Sequence, residues 1–158
     1  MDAVIERPEG RDVERLATFF YEDMKNLGVD TSLASQKEVA QGVVERTDPQ
    51  CQCWVIRATS EGEARGVVVA NGNWSIKFGG RSLWIESLYV DPQARRRGYG
   101  RRLVEFVLDW AEEHGIKGID LEAYRGNTPA SILYRSLGFY RLGRERFYYR
   151  LSGEREYL

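Results

Sequence analysis

The chain of 158 residues is long enough for one ordinary domain with its own core, and 42% apolar with 30% charged residues is a globular composition. Its 23 Lys plus Arg against 24 Asp plus Glu give a formal net charge of −1, which argues against a general nucleic-acid binder. No apolar run approaches the roughly 18 residues of a membrane span, and the acidic start MDAVIERPEG does not read as a signal peptide, so a cytoplasmic protein without membrane contact is expected.

Residues 3–7 read as a short strand stopped by Pro8-Glu9-Gly10. Asp12 is placed to cap a helix in which Val13, Leu16, Ala17, Phe20 and Met24 share one face, closed by Asn26-Leu27-Gly28. Residues 35–46 form a second helical segment, broken by Asp48-Pro49. The period then shortens to that of a strand at residues 51–58 (CQCWVIRA) and 66–70 (GVVVA), with Ser60-Glu61-Gly62 as the turn between them. Asn71-Gly72-Asn73 and Gly79-Gly80 mark further turns before the clearest strand, residues 82–90 (SLWIESLYV). A strong amphipathic helix follows at 101–114, ended by Gly115, then a strand at 119–124 and a helix at 128–137 with Gly138 after it. Residues 139–142 and 146–151 pattern as a final hairpin, and the tail SGEREYL reads as loose. The order predicts an α/β (α+β) fold: a mixed, mainly antiparallel sheet with a central parallel strand–helix–strand unit. With no repeat, low-complexity stretch or linker, residues 1–158 read as a single domain.

The two cysteines, Cys51 and Cys53, would face the same side of a strand and read as packing residues. His114 reads as a surface residue at a helix C-terminus. Most chemistry concentrates at 95–102, RRRGYGRR, where five arginines surround two glycines between the best strand and the best helix. Orphan N–H groups at a helix start, the helix dipole and guanidinium donors suit an anion, so a cradle for a phosphorylated ligand is the leading reading. The lysine and hydroxyl of a nucleoside-triphosphatase loop are absent, and so is the third glycine of a dinucleotide fold. A dinucleotide site, kept open by Asp120 and Glu122 downstream, a nucleic-acid patch and a solvated basic turn are the other readings of these residues.

Arg95-Arg96-Arg97-Gly98-Tyr99-Gly100 forms an R-x-x-G-x-G pattern after Leu-Tyr-Val, and NTPASILYRSLGF follows at 127–139. Together these blocks resemble the GNAT superfamily of acyl-CoA N-acyltransferases, with the specific resemblance covering roughly residues 82 to 140. The resemblance implies that acetyl-CoA is the co-substrate and that no metal is needed. Its pyrophosphate would lie on the backbone of Arg96, Arg97, Gly98, Tyr99, Gly100 and Arg101, with Arg95 at the family's Gln/Arg position. The backbone of Leu88, Tyr89 and Val90 would bind the pantetheine arm, and an N–H near Leu88 would face the thioester oxygen. Asn127 would contact the cofactor or fix its loop, or act as a plain helix cap.

Tyr134 matches the family's proton donor to the leaving thiolate, since a phenol is neutral at pH 7 and donates in place. Glu86, two residues before Leu88, is the first candidate for proton acceptor or attraction of a cationic acceptor, Glu122 is the reserve, and the resemblance leaves water open as the base. The expected activity is transfer of an acetyl group to a primary amine by direct attack. A small cationic amine is the expected acceptor, on the aromatics and carboxylates Tyr21, Glu22, Asp23, Trp74, Trp84, Tyr124, Phe147 and Tyr148. A protein or peptide amine is the alternative, as is a non-catalytic acyl-CoA sensor. A homodimer is implied by the resemblance alone, and neither nucleic acid nor membrane is expected as a partner.

Overall fold

The structure, a computed structural model, describes residues 2–152. Five strands form one sheet in chain order: β1 (Val4–Glu6), β2 (Cys51–Arg57), β3 (Ala64–Ser75), β4 (Gly80–Val90) and β5 (Gly118–Leu121). The first four are antiparallel neighbours, and β5 runs parallel to β4. The helices are α1 (Val13–Asn26), α2 (Leu33–Val44), α3 (Tyr99–Glu113) and α4 (Thr128–Ser136). The mixed, mainly antiparallel sheet and the parallel β4–α3–β5 unit are those expected from the pattern. Among the described residues no helix is long and apolar enough to cross a membrane.

The sheet is buried on both faces. Leu16, Phe19 and Phe20 of α1 and Ala40 of α2 pack on Val55, Val67, Val69 and Tyr89. Leu103, Val107 and Ala111 of α3 pack on Trp54, Ile56, Val68, Leu83 and Ile85. Covered on both sides, β2 and β3 read as near-continuous apolar runs (CWVI and VVVA). Cys53 lies in the α1–α2 layer, where burial pushes its thiol well above the ordinary range. The His114 ring stacks on Trp110, centroids 4.0 Å apart, at the C-terminus of α3.

Asp12 does not cap α1 with its side chain. Its carboxylate instead takes both Nη atoms of Arg57 at 2.7 and 2.6 Å, and the Glu9 N–H at 2.7 Å. Arg57 is fully buried and also reaches Glu6 at 2.7 Å, so one guanidinium joins β1, β2 and the turn before α1. Burial alone would raise the Asp12 carboxyl, but the Arg57 hydrogen bonds and charge, the Glu9 N–H and the Arg11 charge together outweigh it and hold the group below the usual carboxylate range.

Four further expectations change. α2 starts earlier than residue 35, at Leu33, because Ser32 accepts from Ser35 N and caps it. Asn71-Gly72-Asn73 is not a turn: β3 runs through it to Ser75, with Asn73 Nδ2 donating to Ser82 Oγ across the pair at 3.1 Å. Gly72 serves close approach, since a Cβ there would meet Arg81 Nη2 and Gln50 Oε1 at 3.0 Å. β5 stops at Leu121, short of residue 124. The final hairpin does not form, and among the described residues no strand follows β5. Tyr140 (93% exposed), Phe147 (86%) and Leu151 (93%) find no core to bury them. This segment is tied down by side chains instead: Arg146 pairs with Glu122 at 2.9 Å and lies over the Trp84 ring at 4.0 Å. The expected loose tail falls mostly on residues 153–158, outside the described residues.

Candidate active site

The site begins at a bulge in β4. Val69 pairs with Ser87 and Ala70 with Ile85, so Glu86 has no partner across β3. A bulge bends its strand and re-aims the side chains around it. β5 pairs only with Ser82, Leu83, Trp84 and Ile85, and beyond that point β4 and β5 part. Asp91 N donates to Arg65 O at 2.8 Å, toward β3. By strand alternation, the N–H and C=O groups of Leu88 and Val90 turn to the open side. Arg95 Nε donates to the Val90 carbonyl at 3.0 Å, as that orientation requires. The Tyr89 side chain is core, packed on Phe19 with centroids 5.2 Å apart.

The open edge leads into the arginine–glycine loop. Asp91 accepts from Gln93 N at 3.1 Å and is held by Arg15 at 2.6 Å, which anchors the loop start to α1. Arg95, Arg96, Arg97 and Gly98 are exposed. Arg96 (φ 65°) and Gly98 (φ 76°) are both left-handed. A non-glycine residue there costs about 1–2 kcal/mol, and alternating backbone of this kind turns successive N–H groups into one concavity. The first α3 bond runs from Arg102 N to Gly98 O at 3.0 Å, so the N–H groups of Tyr99, Gly100 and Arg101 have no intrahelical acceptor. Only Gly98 is needed for the bend. A Cβ at Gly100 would rest 3.9 Å from Val90 Cγ2 and Leu133 Cδ2, ordinary contact distance. The Arg101 side chain turns to Ser136 and Glu105, and Arg102 ties to the Ala3 carbonyl at 2.8 Å.

The third wall is α4. Asn127 is its N-cap, accepting from Ala130 N at 3.3 Å, so the plain capping role is realised. Tyr134, half-buried, tilts against Phe139 with centroids 5.8 Å apart. Burial raises its phenol, and the negative charge of Asp23 adds to this, so the group stays protonated well into the alkaline range. Glu86 is exposed and accepts the Trp84 indole N–H at 3.0 Å. Glu122 is exposed and engaged by Arg146. Of the expected acceptor-side aromatics, Trp74 is 78% exposed under Arg81, away from the core.

Sequence reading gave no role to Ser87 and placed Asp23 only among the acceptor-side carboxylates. Ser87 Oγ donates to Asp23 Oδ2 at 2.9 Å, across 64 positions of chain. Burial raises the Asp23 carboxyl above the usual range against the Ser87 hydrogen bond and the Arg95 charge. A separate cleft of about 420 Å³, lined by Phe78, Ala111, Ile116, Ile119 and Leu137, lies at the C-terminal end of α3, away from the loop.

The profile of the acetyltransferase (GNAT) family matches residues 13–139, and the chain belongs to that family. It is 44% identical over 73 residues to the N-alpha-acetyltransferase RimI of Mycobacterium tuberculosis, which covers 46% of this chain and 44% of that protein. It is 39% identical over 70 residues to the [ribosomal protein bS18]-alanine N-acetyltransferase of Escherichia coli K12, covering 44% of this chain and 47% of that one. The chain thus spans under half the length of these curated relatives. The fold matches a solved possible acetyltransferase from Clostridium difficile 630, with a TM-score of 0.79 and 21% identity over 96% of this chain and 99% of that one.

Proposed function

We propose that this chain is an acetyl-CoA-dependent N-acetyltransferase acting by direct attack of a primary amine on the thioester. The observation that carries the reading is the continuous run of backbone donors and acceptors from the open edge of β4 into the N-terminus of α3. An extended arm adding to that edge meets Leu88 and Val90, and its pyrophosphate end meets the N–H groups of Arg96, Arg97, Gly98, Tyr99, Gly100 and Arg101. The Leu88 N–H turns toward the gap between β4 and β5, where it stabilises the oxyanion that forms on attack. Arg95 holds the Val90 carbonyl and lies over the Tyr89 ring at 5.5 Å, fixing the strand end rather than the anion.

Tyr134 supplies the proton to the departing thiolate. Its raised phenol supports this role, because a donor must hold its proton until charge develops on sulfur. Glu86, exposed beside the bulge, attracts a cationic acceptor. A small cationic amine fits the carboxylates Glu22, Asp23 and Glu86. The names of the similar proteins favour the second acceptor, a protein α-amine. The reaction needs no metal. The cytoplasmic placement, a homodimer and the extent of the domain over residues 1–158 belong to the same proposal.

Calorimetry with acetyl-CoA, alongside coenzyme A release from an N-terminal-alanine peptide and from spermidine, tests the reading. Tyr134→Phe is expected to lower kcat at least tenfold with acetyl-CoA affinity within about twofold. Binding without turnover of either amine would favour a sensor of acyl-CoA over an enzyme.

A further inference from the structure

The three carboxylates near the bulge are not equivalent. Glu86 and Glu122 are exposed, and each is engaged by an exposed or half-exposed partner. Asp23 projects from the last turns of α1, half-buried, onto the same sheet face as Ser87 and Tyr89. Among the described residues Ser87 is its one hydrogen-bond donor, on a single carboxylate oxygen. Ser87 follows the unpaired Glu86, so the bulge is what turns its hydroxyl toward α1. Asp23 is within electrostatic reach of the Tyr134 phenol and of Arg95. The Ser87 hydrogen bond sets Asp23 against β4 directly after the bulge, on the α1 side of the sheet.

We propose that Asp23, oriented by Ser87, is the proton acceptor for the incoming amine, opposite Tyr134 as proton donor. This rests on the acetyltransferase reading above. The ammonium of the acceptor gives its first proton to the Asp23 carboxylate, and the freed lone pair forms the N–C bond. The C–S bond breaks, and the thiolate takes the Tyr134 proton. The second proton on nitrogen returns to the tyrosinate, and Asp23 releases its own to solvent, one proton per turnover. The groups facing Asp23 account for its poise: burial favours the neutral acid, and Ser87 and Arg95 restrain that shift. A carboxylate lifted in this way is a better base than an exposed one.

The test uses the full chain with acetyl-CoA and whichever of the alanine peptide and spermidine is turned over faster. Asp23→Asn keeps the shape and can still accept from Ser87. It is expected to lower kcat/KM at pH 7 about 100-fold, with acetyl-CoA affinity within twofold. Its residual rate should climb with pH toward the amine's own pKa. Ser87→Ala removes a hydrogen bond to the charged form, so the acid limb of the kcat/KM profile should move to higher pH. Because the fold disfavours the Asp23 charge, Asp23→Asn should also melt higher than the native chain at pH 7. A purely structural aspartate would do the reverse. Asp23→Asn with native activity and an unmoved acid limb would overturn the assignment while leaving the acetyltransferase reading intact. A native chain that binds acetyl-CoA but acetylates neither amine would remove both.

Discussion

Replacing Gly98 and Gly100 by alanine, one at a time, separates two demands on the loop that the sequence motif merges. At Gly98 an added Cβ meets no heavy atom within 4 Å, so the effect of alanine is all backbone. With φ at 76°, alanine costs about 1–2 kcal/mol of stability. At Gly100 the backbone is right-handed and the Cβ makes only 3.9 Å contacts. Alanine in a helix is favoured over glycine by about 0.5–1 kcal/mol, so this variant should be more stable than the native chain. Urea unfolding should therefore place the two variants on opposite sides of the native midpoint. Acetyl-CoA affinity should nevertheless fall in both. Gly98→Ala disturbs the concavity itself, and Gly100→Ala puts a methyl group beside the N–H groups proposed to receive the pyrophosphate. A tenfold loss, about 1.4 kcal/mol, is expected for Gly100→Ala by calorimetry. A stabilised Gly100→Ala variant with native affinity would show that the anion does not sit on the N-terminus of α3.

Two further outcomes concern the buried ion pair. Arg57→Ala leaves Asp12 buried without its cation and should cost about 3–5 kcal/mol in urea unfolding, whereas Arg57→Met combined with Asp12→Asn should recover most of that. A single variant no worse than the double one would refute the pairing argument. The acid limb follows from the same contact. Asp12 lies below its unfolded pKa, so its contribution is complete above roughly pH 4 and is lost as pH falls through the folded value. Thermal melts from pH 6 to pH 2 should show that loss, and Asp12→Asn should flatten the slope.

The elements that were legible from sequence are those whose burial is periodic. α1 and α3 present one apolar face each, and β4 reads as a strand because SLWIESLYV alternates over most of its length. The same alternation hid the bulge. Glu86 reads as an ordinary outward residue, and nothing local distinguishes it from a paired one. Asn71-Gly72-Asn73 has turn chemistry, yet a long β3–β4 ladder overrides it. The hairpin expected at 139–151 shows the converse: residues that alternate well still need an edge to pair with, and β5 offers four residues, all partly exposed. Of the proposed site, the loop at residues 95–102 and Tyr134 stand out in the sequence because each sits in a compact motif. Asp23 and Ser87 do not, because their meeting depends on α1 crossing β4 at the bulge.

The parting of β4 from β5 leaves the backbone groups of Leu88 and Val90 without a strand on that side. Such an edge is a template for sticking to other chains. Here it is guarded in several ways: it is short, it is bent at its start, its last carbonyl is occupied by Arg95, and three exposed arginines stand at its exit. Charged side chains beside an open edge discourage another strand from pairing there. The edge read as a binding groove thus carries its own local guard against strand pairing, and substitutions that strip arginines from the loop weaken that guard.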